Sequence, residues 1–178
     1  MGSATYPATC RARAAALTFL IVMTGVIATF TSSSPATASS NDVGVVVPMP
    51  ETYAGDVQRY VNAHRRRYGL APLALDWRLN VAAQRHAVDM AARRVMTHTG
   101  SDGSNGGTRI TRAGYRWSAW GENVAAGFTS SSAVVWAWLQ SSSHRANMLN
   151  SRFRHMGLGV KRASNGTLYW CLLMAAPR

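Results

Sequence analysis

The spacing of apolar residues changes along this chain, and the change limits the folds open to it. Val57, Tyr60, Val61, His64 and Tyr68 recur at helical intervals until Gly69 and Pro72 stop them, which predicts a helix over residues 55–68. Asp76 is placed to cap a second helix over Trp77 to Arg94, with Leu79, Ala83, His86, Ala87 and Met90 on its inner face. A helical turn is expected over Thr108 to Ala113, an extended piece over Gly121 to Gly127, a third helix over Ser131 to Gln140 and another turn over His144 to Leu149. Met156 to Lys161 and Leu168 to Met174 then read as strands joined by a hairpin turn at Ala163-Ser-Asn-Gly166. Helices first and strands last, with a helix between extended pieces, indicate an α+β domain with an antiparallel sheet.

The first residues stand apart from this pattern. Arg11 and Arg13 precede an apolar run from Ala14 to Phe30, and a Ser-rich stretch then ends in Ala36-Thr-Ala38, the order of a secretory signal peptide with its cleavage site. Residues 1–38 are therefore expected to be removed. The run only reaches the lower length limit of a bilayer-spanning helix, and Thr18, Thr24 and Gly25 weaken it further. No later segment is long and apolar enough to span a membrane. Residues 39–54 read as a linker and residues 55–178 as one domain with one core.

Two cysteines are present, and Cys10 leaves with the signal. Cys171 cannot then form an internal bridge, and its apolar neighbours from Leu168 to Ala176 mark it as a buried, inert thiol. The formal charge is +12, almost all of it from arginine. Such a surface attracts anionic polymers or acidic lipid headgroups in a salt-dependent way. Export argues against nucleic acid as the partner and favours an anionic cell-envelope component. Arg65-Arg-Arg67 and Arg93-Arg94 fall near helix ends, where solvated cations also suit the helix dipole.

Three short islands carry the candidate chemistry: His98-Thr-Gly-Ser-Asp-Gly-Ser104, Gly121-Glu-Asn123 and Ser143-His-Arg-Ala-Asn147. His98, Glu122 and His144 would give two imidazoles and a carboxylate, a donor set suited to a divalent transition metal such as Zn²⁺. The same three residues could instead form a buried polar knot that holds loops together. The loop from Thr97 to Gly107 is rich in glycine and serine and needs something to hold it. Ser143 beside His144 makes a poor nucleophile and base, because adjacent side chains rarely aim at each other and no orienting acid follows. His64 and His86 face the core side without acidic or cysteine partners in their own turns, as hydrogen-bonded structural rings do. Trp138 and Trp170 read as core, and Trp117 and Trp120, next to Arg116, as a ligand rim.

In order along the chain, Asn62-Ala-His-Arg65, Leu70-Ala-Pro-Leu73, Ala82-Ala83 with Met90-Ala91, the His98 loop, Gly114-Tyr115, Gly121-Glu-Asn-Val124, Trp138 through Asn147, and Gly157-Leu-Gly-Val160 with Tyr169-Trp170 resemble the bacterial branch of the CAP superfamily, the SCP-like extracellular domains. The resemblance runs from about Val57 to Met174 and implies a secreted three-layer α-β-α sandwich with a central, mostly antiparallel sheet. It also implies a cleft that gathers two histidines and two glutamates. His98, Glu122 and His144 match three of these places, whereas the fourth falls on Ser141, with Gln140 beside it.

Two functions follow as expectations. The preferred one is a secreted, non-catalytic module that binds a lipid or small ligand in the cleft, or an anionic envelope component, with a possible divalent-metal site at His98, Glu122 and His144. The other is a metal-dependent hydrolase, a peptidase or envelope-degrading enzyme using a metal-bound water. The missing second carboxylate favours binding, because Glu122 cannot serve both as ligand and as general base.

Overall fold

A computed structural model describes residues 53–178; the expected signal peptide and nearly all of the expected linker lie outside the described residues. The elements in chain order are α1 (Tyr53–Arg67), β1 (Ala74–Leu75), α2 (Trp77–Arg93), α3 (Gly106–Arg112), β2 (Trp117–Ala126), α4 (Ser131–Gln140), α5 (Ser142–Met148), β3 (His155–Arg162) and β4 (Leu168–Pro177). The α+β expectation holds. Helix α1 already includes Tyr53 and Ala54, which the sequence places in the linker, and it ends at Arg67. Tyr68 therefore leaves the helical phase and is exposed rather than turned inward.

Local chemistry sets the helix ends. Asp76 caps α2 by accepting from the Arg78 backbone N–H at 2.9 Å, and Asn105 and Ser130 do the same for α3 and α4. Arg94 adopts a left-handed conformation that stops α2.

The sheet order is β1-β3-β4-β2, with β4 paired antiparallel to both β3 and β2. The short β1, unforeseen in the sequence, runs parallel to β3 at its edge. Strand β4 shows why the molecule has three layers. Its residues Leu168, Trp170, Leu172 and Met174 face a core built with Val57 and Val61 of α1 and with Val134 and Trp138 of α4. The alternate residues Tyr169, Cys171, Leu173 and Ala175 face a second core built with Leu79, Ala83 and Met90 of α2 and Ile110 of α3. Each large side chain buried this way contributes about 1.5–3 kcal/mol, so the central strand is stabilised from both faces.

Helix α2 lies unusually close to β3 because two glycines leave room for it. A Cβ on Gly157 would stand 2.2 Å from the Leu79 carbonyl carbon, and one on Gly159 would stand 2.3 Å from that of Ala83. From this position α2 also serves the strand's main chain: the Leu158 N–H donates to Asn80 Oδ1, and Val160 exchanges two hydrogen bonds with the Gln84 amide.

One charge expectation is corrected. Arg66 and Arg67 are solvated, but Arg65 is completely buried. Its guanidinium donates to the carbonyls of Ala71, Met148 and Asn150 at 2.8–2.9 Å, filling acceptors that the end of α5 leaves open. Burial and the nearby Arg154 charge pull its pKa down. Helical phase explains the difference, since Arg65 continues the inward row of Val57 and Val61.

Candidate functional site

The glycine- and serine-rich loop between α2 and α3 is held by internal and external bonds. Gly100 N–H donates to Ser104 O, the Ser104 N–H to Asp102 Oδ1, and Gly103 has a positive φ of 74°. A side chain at Gly100 would collide with Asp102 and Ser104. Asp89 of α2 accepts from the Ser101 N–H, and Arg112 pairs with Asp102. The main fastening is Arg109 of α3. Its guanidinium donates to Ser104 O at 2.7 Å, His98 O at 3.1 Å and Glu122 Oε2 at 2.5 Å.

Glu122 stands in β2, its strand position fixed from the opposite side. Asn147 of α5 donates to Glu122 O and to Asn123 Oδ1, Asn123 donates to His144 O, and the Trp138 indole N–H donates to Val124 O. Gly121 is required here, because a Cβ would lie 2.9 Å from Asn147 Oδ1. The second and third sequence islands are thus one hydrogen-bonded unit.

His98, Glu122 and His144 line one hollow of about 380 Å³, together with Trp120, Asn105 and Asn147. Among the described residues that line it, Glu122 is the one carboxylate, and neither Ser141 nor Gln140 takes part. Among the described residues, no group of three or more His, Cys, Asp or Glu side chains is gathered closely enough to hold a metal ion.

The electrostatics follow from unequal burial. The Glu122 side chain is 2 % exposed and that of His98 58 %. Burial pushes the Glu122 carboxyl up, but the His98 hydrogen bond and the Arg109 charge outweigh it and hold the group below its ordinary value. His98 Nδ1 lies 2.8 Å from Glu122 Oε1, and this bond raises the His98 pKa against the effect of burial. Because the carboxylate is an acceptor, Nδ1 carries the proton and Nε2 is the free ring nitrogen. His144 is shifted down, by burial and then by repulsion from His98. The hollow therefore holds one imidazole whose protonation is favoured and one whose protonation is disfavoured.

Arg109 is the residue the sequence reading missed. A buried carboxylate needs a cation, and Arg109 is a basic residue in the turn that follows the glycine loop. Cys171 is buried as expected; its thiol, 3.6 Å from Glu122 Oε2, has a pKa raised well above its ordinary value by burial and then by that carboxylate. His86 is buried, with Nε2 2.8 Å from Thr97 O, as a structural ring should be. Trp117 and Trp120 form an edge-to-face pair 6.4 Å apart, and the Trp120 indole rests on Gly106 and Gly107. Both are half-buried, and Trp120 alone of the two lines the hollow.

Comparison with known proteins places this architecture. The model of the cysteine-rich secretory protein family, CAP, matches residues 58–174. The chain belongs to the CAP family. It is 32% identical over 129 residues to the uncharacterized protein YkwD of Bacillus subtilis, covering 72% of this chain and 50% of that one. A solved extracellular protein containing an SCP domain, from Bacillus anthracis, superposes with a TM-score of 0.65 at 27% identity, over 70% of this chain and 40% of that one. An outer surface protein from Borrelia burgdorferi shares the fold with a TM-score of 0.65 at 22% identity, over 71% of this chain and 96% of its own. This chain spans about half the length of YkwD. Among the described residues of the CAP domain, no helix is long and apolar enough to cross a membrane.

Proposed function

We propose that this CAP domain is an exported, non-catalytic binding module whose hollow at His98, Glu122 and His144 receives an anionic ligand of the cell envelope, either an acidic polymer segment or a lipid headgroup. The observation that carries the reading is the state of Glu122: one oxygen is held by His98 and the other by Arg109. A carboxylate tied at both oxygens and kept ionised by a buried arginine is a poor general base. The hydrolase reading needs that base, and it finds no second carboxylate among the described lining residues.

The ionisable groups left to meet a ligand are His98 Nε2 and the His144 ring, beside the polar side chains of Asn105 and Ser143. Glu122 and Arg109 cancel in charge, so protonation of His98 leaves the hollow positive, and the net charge, formally +10 without the Arg11 and Arg13 of the signal-like segment, draws anions toward it. The signal-like pattern of residues 1–38 and the extracellular setting of the Bacillus anthracis relative support export.

A divalent metal such as Zn²⁺ would meet only a reduced form of the expected donor set, because among the described residues no three His, Cys, Asp or Glu side chains gather to hold one. His98 Nε2 and His144 would hold it, while Glu122 would orient His98 as a supporting carboxylate instead of ligating. Bound there, the ion would add positive charge to the same hollow.

The test compares the protein with His98→Ala and Glu122→Gln. Pull-down with anionic envelope polymers and with acidic lipid vesicles at low and high salt should show binding that weakens in His98→Ala. Peptide, ester and glycan substrates are offered with Zn²⁺ in parallel. Turnover lost in both variants would replace this reading with the hydrolase.

A further inference from the structure

Two large apolar residues in succession face water where α2 ends: Val95 is 48 % exposed and Met96 54 %. Their turn is fastened on both sides. The left-handed Arg94 closes the helix, with the Val95 N–H donating to Met90 O at 3.1 Å, and Thr97 O accepts from His86 Nε2 at 2.8 Å. The fold itself holds the pair out in solvent.

Cations border it. Arg94 reaches across to the β3–β4 hairpin, where its guanidinium donates to Ser164 Oγ at 2.8 Å. Helix and strand advance in step on this side: Gly157 lies against Leu79 and Gly159 against Ala83, so the next step brings exposed Lys161 to Ala87, beside exposed Val88. Arg162 follows at the hairpin, its guanidinium on Gly166 O. Residues 90–101 and 157–168 contain no aspartate or glutamate. Arg93 is spent on Asp89, whereas Arg94, Lys161 and Arg162 make no ion pair among the described residues.

An acidic polymer would use these cations and leave Val95 and Met96 in water. An anionic bilayer uses both, because apolar side chains enter the boundary of headgroups and acyl chains while arginine and lysine stay with the phosphates. We propose that the end of α2 and the β3–β4 hairpin form a docking surface for an anionic lipid bilayer, with Val95 and Met96 as the inserted pair. His98 lies two residues beyond Met96, so docking brings the loop that carries the cleft histidine to the headgroups. The surface uses neither Glu122 nor His144, and it stands whether or not the cleft binds a ligand.

The test uses protein recovered after export, in the His98→Ala background that removes the cleft's share of binding. It is titrated with vesicles of phosphatidylglycerol and phosphatidylcholine, and with phosphatidylcholine vesicles alone. The anionic vesicles should bind it and the neutral ones should not. Lys161→Gln should weaken that binding about fivefold, the worth of one cation near an anionic surface, and Met96→Ser about tenfold through lost apolar burial. Both changes are at exposed positions. A bimane fluorophore on a Val95→Cys variant, whose native Cys171 is buried, should shift to the blue on the anionic vesicles. The proposal falls if both vesicle types bind equally, if Met96→Ser has no effect, or if the bimane emission is unmoved while the protein binds. It falls equally if soluble polyglutamate binds as tightly as the vesicles, or if the protein self-associates without lipid in a manner that Met96→Ser abolishes.

Discussion

Arg109 and Glu122 meet at 2.5 Å with their side chains 8 % and 2 % exposed, an ion pair almost without water. The pair joins helix α3 to strand β2, and through the His98 carbonyl the same guanidinium fixes the loop that carries the cleft histidine. Removing Arg109 alone leaves a carboxylate stranded. Arg109→Met should cost about 3–5 kcal/mol of stability, whereas Arg109→Met combined with Glu122→Leu should recover most of it. Urea unfolding of the single and double variants measures both.

The imidazole of His98 provides a pH reading of the same network. Its raised pKa means that the His98–Glu122 pair contributes fully below the ordinary histidine value and is lost as pH rises through the raised one. Glu122 has the opposite sign: its contribution is present above the ordinary carboxylate value and is lost as pH falls through the depressed one. Ligand binding at the cleft should therefore weaken on the alkaline side. An NMR titration of the His98 ring should show a midpoint above the usual value, moving down in Glu122→Gln.

Arg65 and Arg66 are adjacent in sequence and opposite in role. Arg65→Met abandons carbonyl acceptors that each cost about 1–3 kcal/mol when left buried and unpaired. Arg66→Met should stay within about 0.5 kcal/mol of the parent. Thermal denaturation of the two variants separates a buried cation from a solvated one.

Gly159 should tolerate no side chain. Gly159→Ala places a methyl against the Ala83 backbone, which cannot move without lifting α2 from the sheet. The expected loss is about 1–3 kcal/mol or more. Amide exchange should quicken at Asn80 and Gln84 of α2 and at Leu158 and Val160 of β3, where side chain meets strand.

Much of this was legible in the sequence, because helical and strand periods, the Asp76 cap and the Asn165-Gly166 turn are local signals. The three islands could be named as a set for the same reason. What escaped was set by distance. The burial of Arg65 depends on carbonyls of Met148 and Asn150 far along the chain, and the role of Arg109 depends on a carboxylate in the next strand. The two-residue β1 carries no period at all and exists because the main chain of Ala74 and Asp76 bonds to that of Arg154 and Met156.

Asn80 and Gln84 occupy the flank of β3, and Asn147 and Trp138 occupy that of β2 at Glu122 and Val124. At those points neither border offers a vacant ladder on which a foreign peptide could lay down another strand. Whatever recognises this domain there must read side chains and their charges, so its specificity can be altered by point substitutions on the surface without disturbing the sheet.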